Sequence, residues 1–126
     1  MTTEDKVNVL LVDDQPAKLL SYEVILKDLG ENLIKASSAK AGFEQLLKTD
    51  IAIVLMDIMM PEMDGYQTMQ LIRQQSSMRR MPIIALTAKA MKGDREKCLE
   101  AGASDYLAKP VNTEQLLSAL RMWLHR

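Results

Sequence analysis

The residues able to do chemistry fall at the ends of short apolar runs. Asp13 and Asp14 follow VNVLLV (7–12), Asp57 follows IAIVLM (51–56), Thr87 closes PIIALT (82–87), and Lys109 follows DYLA (105–108). Each has a plain structural role. An Asp ahead of a helix caps it, and Asp57 could open the turn signalled by Pro61 and Gly65. Thr87 suits a strand as a β-branched residue, and Lys109 could be a solvated surface side chain. Those separate roles do not explain why four runs deliver polar groups at the same end. Three carboxylates held together repel one another. A hard divalent cation such as Mg²⁺ relieves that cost, because it takes a few carboxylates, keeps its waters and accepts phosphate oxygens. Beside it, an Asp carboxylate can attack a phosphoryl group in line and become an acyl phosphate. Lys109 would neutralise the transferred oxygens and the Thr87 hydroxyl would hydrogen-bond one of them. Hydrolysis would then need a base, and two residues beyond Asp57 stands Met59 where a second carboxylate would serve. That favours a long-lived phosphoryl-aspartate over turnover.

Strands and helices must alternate to bring these groups together. The runs 7–12, 32–36, 51–56, 82–87 and 105–108 have the length and Val, Ile and Leu content of strands, and 51–56 is apolar throughout, as a strand buried on both faces should be. Between them, residues 16–29 place Leu19, Tyr22, Leu26 and Leu29 on one stripe, with Pro16 in the first turn and Gly30 after the last. Leu20, Val24 and Ile25 widen that apolar surface, which would either enlarge the core stripe or present a docking face. Helices are also predicted over 39–48, 65–75 and 90–101. The final helix carries Leu116, Leu117, Leu120, Trp123 and Leu124, with Asn112 or Thr113 as its cap. Five strands alternating with five helices predict a parallel sheet covered on both faces. Ligands of such sheets bind beyond the carboxyl ends of the strands, where strand order reverses.

Composition limits the alternatives. The chain has 126 residues, 48% hydrophobic and 26% charged, which predicts one domain over 1–126. Sixteen basic residues oppose seventeen acidic ones, for a net charge of −1, which argues against direct nucleic-acid binding. The lone cysteine, Cys98, reads as a small apolar filler. No apolar run approaches the roughly 18 residues of a membrane span, and the polar MTTEDKVN opening lacks the character of a signal peptide. A cytoplasmic protein without membrane insertion is the expectation. His125, the single histidine, sits near the end of the chain and reads as a tail residue rather than a phosphoryl carrier.

Four motifs, LLVDDQP, LMDIMMPEMDG, IIALTA and AGASDYLAKPV, stand in order at spacings that resemble the receiver domain of two-component response regulators over residues 7–124. The resemblance implies a flavodoxin-like (βα)5 three-layer sandwich with a parallel sheet of order 2-1-3-4-5. It implies Asp57 as phosphoacceptor and Mg²⁺ (or Mn²⁺) held by Asp14, by Asp13 largely through water, by Asp57 and by the backbone carbonyl of Met59. It further implies Thr87 as switch hydroxyl, Tyr106 as aromatic switch, Lys109 as phosphate-contacting lysine, and a cis Lys109-Pro110 bond. The segment LTAKAMKGDREKCLEAGASDYLAKPV looks most like receivers associated with hybrid histidine kinases. The implied function is a phosphorelay switch that catalyses its own phosphorylation without being a turnover enzyme. Its partners would be a histidine kinase or histidine phosphotransfer protein, with a fused kinase or output domain in a parent chain. Two other classes compete. A Mg²⁺-dependent phosphohydrolase with Asp57 as nucleophile lacks a base at Met59, and a flavodoxin-type cofactor carrier would need glycine-rich phosphate loops that five glycines without a GxGxxG pattern do not supply.

Overall fold

A computed structural model describes residues 6–57, 65–75, 78–87, 94–108 and 112–124. The elements alternate: β1 (Asn8–Val12), α1 (Pro16–Leu26), β2 (Asn32–Ala36), α2 (Ala39–Lys48), β3 (Ile51–Asp57), α3 (Gly65–Gln74), β4 (Ile83–Thr87), α4 (Asp94–Ala101), β5 (Asp105–Ala108) and α5 (Thr113–Leu124). The five strands form one parallel sheet of order β2-β1-β3-β4-β5, as the resemblance implied.

Strand alternation divides the core in two. Val9, Leu11, Ile53, Leu55, Ile84 and Leu86 face one side, where α1 and α5 cover them with Leu19, Tyr22, Leu26, Leu116, Leu117 and Leu120. Leu10, Val12, Val54, Met56, Ile83 and Ala85 face the other, under α2, α3 and α4. The central strands β1 and β3 are therefore apolar on both faces, whereas the edge strand β2 leaves Asn32 and Lys35 in solvent. Gly42 lets α2 approach β1, since a Cβ there would stand 2.9 Å from a Val12 methyl. Cys98 is buried among these apolar residues.

The helix ends refine the sequence expectations. The stretch predicted as helix to residue 29 is α-helical only to Leu26. Lys27–Leu29 tightens into a 3-10 turn that closes on Gly30, whose φ of +78° suits glycine. The cap of α1 is Gln15, which makes no side-chain capping bond, so neither Asp13 nor Asp14 is spent there. Ser38 caps α2 through the Ala41 N–H (3.0 Å), and Asn112, rather than Thr113, caps α5 through the Gln115 N–H (3.1 Å). On α1, Leu20 and Val24 are 61% and 66% exposed, while Ile25 is half-buried and packs against the core. No helix among the described residues is long and apolar enough to cross a membrane.

Candidate functional site

The strand register explains why the acidic residues meet. Val12 pairs with Met56, so Asp13, the next residue, leaves β1 at the level where Asp57 closes β3. Asp57 in turn pairs with Leu86, one residue before Thr87, which pairs with Ala108. All these strands end on one edge. The chain leaves β1 toward β2 on one side and continues from β3 to β4 and β5 on the other, so the strand order reverses between β1 and β3. The acidic residues stand at that reversal, where open α/β sheets bind ligands.

Asp13 and Asp57 are 1% and 2% exposed, and one oxygen from each of Asp13, Asp14 and Asp57 lies within 4.8 Å of the others. The two aspartates after β1 differ in role. Asp13 continues the sheet, its N–H donating to the Ala36 carbonyl (3.1 Å), while its Oδ1 accepts the Gln15 N–H (3.0 Å) and shapes the turn into α1. Asp14 is half-buried and makes no such turn; its buried Oδ1, like Asp13 Oδ2, accepts no hydrogen bond among the described residues. A buried carboxylate oxygen without a donor is costly, and a cation removes that cost. An all-oxygen set with several negative charges suits a hard divalent ion such as Mg²⁺ and disfavours soft metals. The cluster therefore fits a divalent cation.

Tyr22 was legible only as a core residue of α1. It also senses the site: burial first, then the negative charges of Asp13 and Asp57, push its phenol up to about 12. The phenol thus stays neutral where an unfolded chain would ionise it. Since the folded pKa lies above the unfolded one, this stabilisation is complete below about pH 10 and is lost as the pH rises toward 12. We expect Tyr22→Phe to flatten that alkaline loss. In urea unfolding, the difference between wild type and variant should move by about 1 kcal/mol between pH 9 and pH 11. A constant difference across that range would show that the fold does not hold the phenol neutral.

Tyr106 lies on β5, opposite Ala85, half-buried against the core on the α2–α4 side. Thr87 ends β4 as expected, and nothing is described of its side chain. Met59, Lys109, the Lys109-Pro110 bond and His125 lie outside the described residues. The structure thus brings together Asp13, Asp14 and Asp57, and places the backbone of Thr87 and Tyr106 on the neighbouring strands.

A doubly wound sheet with an acidic trio at its reversal point defines an α/β domain with a candidate cation site at its carboxyl edge. Residues 9–121 match the response regulator receiver domain, and the chain belongs to that family: a phosphorylation-dependent switch of two-component systems. It is 41% identical over 122 residues to the signal transduction histidine-protein kinase BarA of Shigella flexneri, covering 95% of this chain and 13% of the kinase. It is 34% identical to protein PilG of Pseudomonas aeruginosa, covering 93% of this chain and 87% of PilG. Among solved structures, the receiver domain of sensor histidine kinase PA1611 from Pseudomonas aeruginosa superposes with a TM-score of 0.88. Its identity is 38% over 96% of this chain and 99% of that one, and it holds a magnesium ion in its active-site cleft. The chain thus spans only about an eighth of the length of the histidine kinases it matches.

Proposed function

We propose that this receiver accepts a phosphoryl group on Asp57 from a phosphohistidine of a histidine kinase or phosphotransfer protein. The observation that carries the reading is the buried Asp57 carboxylate, at the reversal point, within 4.8 Å of two further carboxylates. Asp13, Asp14, Asp57 and the Met59 carbonyl would hold Mg²⁺, with Mn²⁺ as a substitute. When bound, the ion supplies positive charge to the transferred oxygens. An Asp57 oxygen forms the new O–P bond as the donor's N–P bond breaks, and the imidazole leaves neutral with a proton on its other nitrogen. Lys109 offsets charge on the phosphoryl oxygens, and the Thr87 hydroxyl donates to one of them. Drawing Thr87 inward frees space that Tyr106, already half-buried beside β4, fills by turning toward the core. The altered surface is the output. The domain spans 1–126 with its core at 7–124, acts in the cytoplasm, and works as a relay module beside a kinase or output domain, a reading the hybrid-kinase relatives support. The test is incubation with acetyl phosphate and Mg²⁺, followed by mapping of the acyl phosphate. Label on the Asp57 peptide is expected, and label elsewhere overturns the assignment.

Donor docking falls on α1. Leu20 and Val24 stand one turn apart on its exposed side, and Pro16, Leu19, Leu20, Lys35 and Ser37 line a groove of about 220 Å³ beside its first turns. This is where a helix bearing the donor histidine could approach the site. The pair Leu20→Asp with Val24→Asp should slow transfer from a phosphohistidine protein by about tenfold or more, on the scale of a lost apolar anchor. Phosphorylation by acetyl phosphate and the melting temperature should hold. Equal loss of both reactions would place these residues outside donor recognition.

A further inference from the structure

The outer side of α1 borders a groove of about 520 Å³ against β2, walled by Lys6, Leu20, Glu23, Val24, Lys27 and Glu31. Leu20 and Val24 stand one turn apart with most of their surface in water, an apolar pair left uncovered by the described residues. The charges around them are unequally engaged. Glu23 pairs with Lys35 (3.1 Å), and Glu31 accepts the Val7 N–H (2.9 Å). Among the described residues, neither Lys6 nor Lys27 forms an ion pair. Two large apolar side chains beside two such cations suit a short acidic segment that carries some apolar surface.

The chain itself enters β1 at the end of this groove. Val7 is held on both sides, its N–H by Glu31 and its carbonyl by the Asn32 N–H (3.0 Å), which brings Lys6 to the C-terminal end of α1. The residues before it, outside the described range, read Met1-Thr2-Thr3-Glu4-Asp5. Glu4 and Asp5 supply acid directly before Lys6, and Thr2 and Thr3 supply methyl groups on β-branched side chains that suit an extended backbone. The reach closes. Four extended residues from Lys6 back to Thr2 span about 13 Å at 3.3 Å each. The two helical turns from Lys27 back to Leu20 span about 10 Å at 1.5 Å per residue.

We propose that residues 1–5 lie back along α1 as a strap, with Glu4 and Asp5 over Lys27 and the methyls of Thr2 and Thr3 on Val24 and Leu20. Leu20 also walls the smaller groove beside the first turns of α1. The strap therefore competes with a phosphohistidine donor for the same side chains and sets how readily transfer begins. The strap stands on the groove, the two cations and the reach. Only the competition rests on the reading of α1 as the donor-docking face.

Methyl NMR of the full chain, with the Leu20 and Val24 signals as probes, reads the strap directly. Deleting residues 2–5 should shift both signals and leave the fold intact, since the buried core starts only at Val9. Glu4→Lys with Asp5→Lys should reproduce that shift, because like charges then meet Lys6 and Lys27. Adding Lys27→Glu to the pair should return both signals toward the wild type. In a phosphotransfer assay the deletion should speed transfer from a phosphohistidine protein about threefold or more, as the docking face becomes fully available. Labelling by acetyl phosphate should not change. Thr2→Gly with Thr3→Gly alters no charge and should speed transfer in the same direction, which separates release of the strap from altered electrostatic steering. Leu20 and Val24 signals that ignore the deletion, or that Lys27→Glu fails to restore, overturn the strap. Signals that instead follow protein concentration assign this face to a second copy of the chain and overturn it as well. Signals that move with the deletion while transfer keeps its wild-type rate would uphold the strap and overturn α1 as the donor's docking face.

Discussion

Asp57→Asn abolishes acyl-phosphate formation and leaves the fold intact; this is the largest single-residue effect we expect. Asparagine matches the shape of the carboxylate that closes β3, and the backbone pairing of residue 57 with Leu86 does not depend on the side chain. What disappears is the nucleophilic oxygen, and an amide in its place forms no acyl phosphate. Stability should hold or rise. Two unit charges 4.8 Å apart repel by about 3.5 kcal/mol at an effective dielectric constant near 20, and the substitution removes one of three charges. The measurement is labelling by acetyl phosphate with Mg²⁺, alongside urea unfolding of both proteins. Label on the same peptide of the asparagine variant would end the case for Asp57, and loss of fold would show that the carboxylate is structural.

How far this site was legible depends on what each residue's signal consists of. The strands were readable because β1, β3 and β4 are buried on both faces and so carry unbroken apolar runs. Their carboxyl ends then gave Asp13, Asp14, Asp57 and Thr87 directly, since the residue after an apolar run is the one delivered to the sheet edge. The division of labour between Asp13 and Asp14 was not readable. Both are aspartates and each keeps a buried oxygen that accepts no hydrogen bond among the described residues, Asp13 Oδ2 and Asp14 Oδ1; only the turn into α1, where Asp13 Oδ1 accepts the Gln15 N–H, tells them apart. The end of α1 was overrun because a single 3-10 turn keeps the same apolar stripe as a helix. Tyr22 read as core because its second role acts through the field of carboxylates far along the chain. Arg73 left no trace at all: its partners are backbone carbonyls and a serine up to 31 residues away, and a charged residue late in a helix looks like an ordinary solvated one.

Asp14→Ala should separate the cation from the nucleophile. Asp57 remains in place, yet the buried Asp14 oxygen that meets no donor is gone, and with it one of three negative charges that make the cluster attractive to a hard ion. Ligand binding to the folded state alone raises stability by RT ln(1 + [L]/Kd), or about 1.4 kcal/mol at ten times Kd. For a chain of this size that is a rise of several degrees in melting temperature. The wild type should show this rise with Mg²⁺, and the alanine variant should show almost none. Phosphorylation by acetyl phosphate should fall in parallel by about a hundredfold or more, the scale of losing one group that stabilises developing charge. Asp14→Asn, which keeps an oxygen but not the charge, should fall between the two. The joint behaviour is the decisive part. A variant that loses the Mg²⁺ shift but keeps the wild-type rate would mean that phosphorylation needs no cation held by Asp14. One that keeps the shift but loses the rate would move Asp14 from the cation to the phosphoryl group itself.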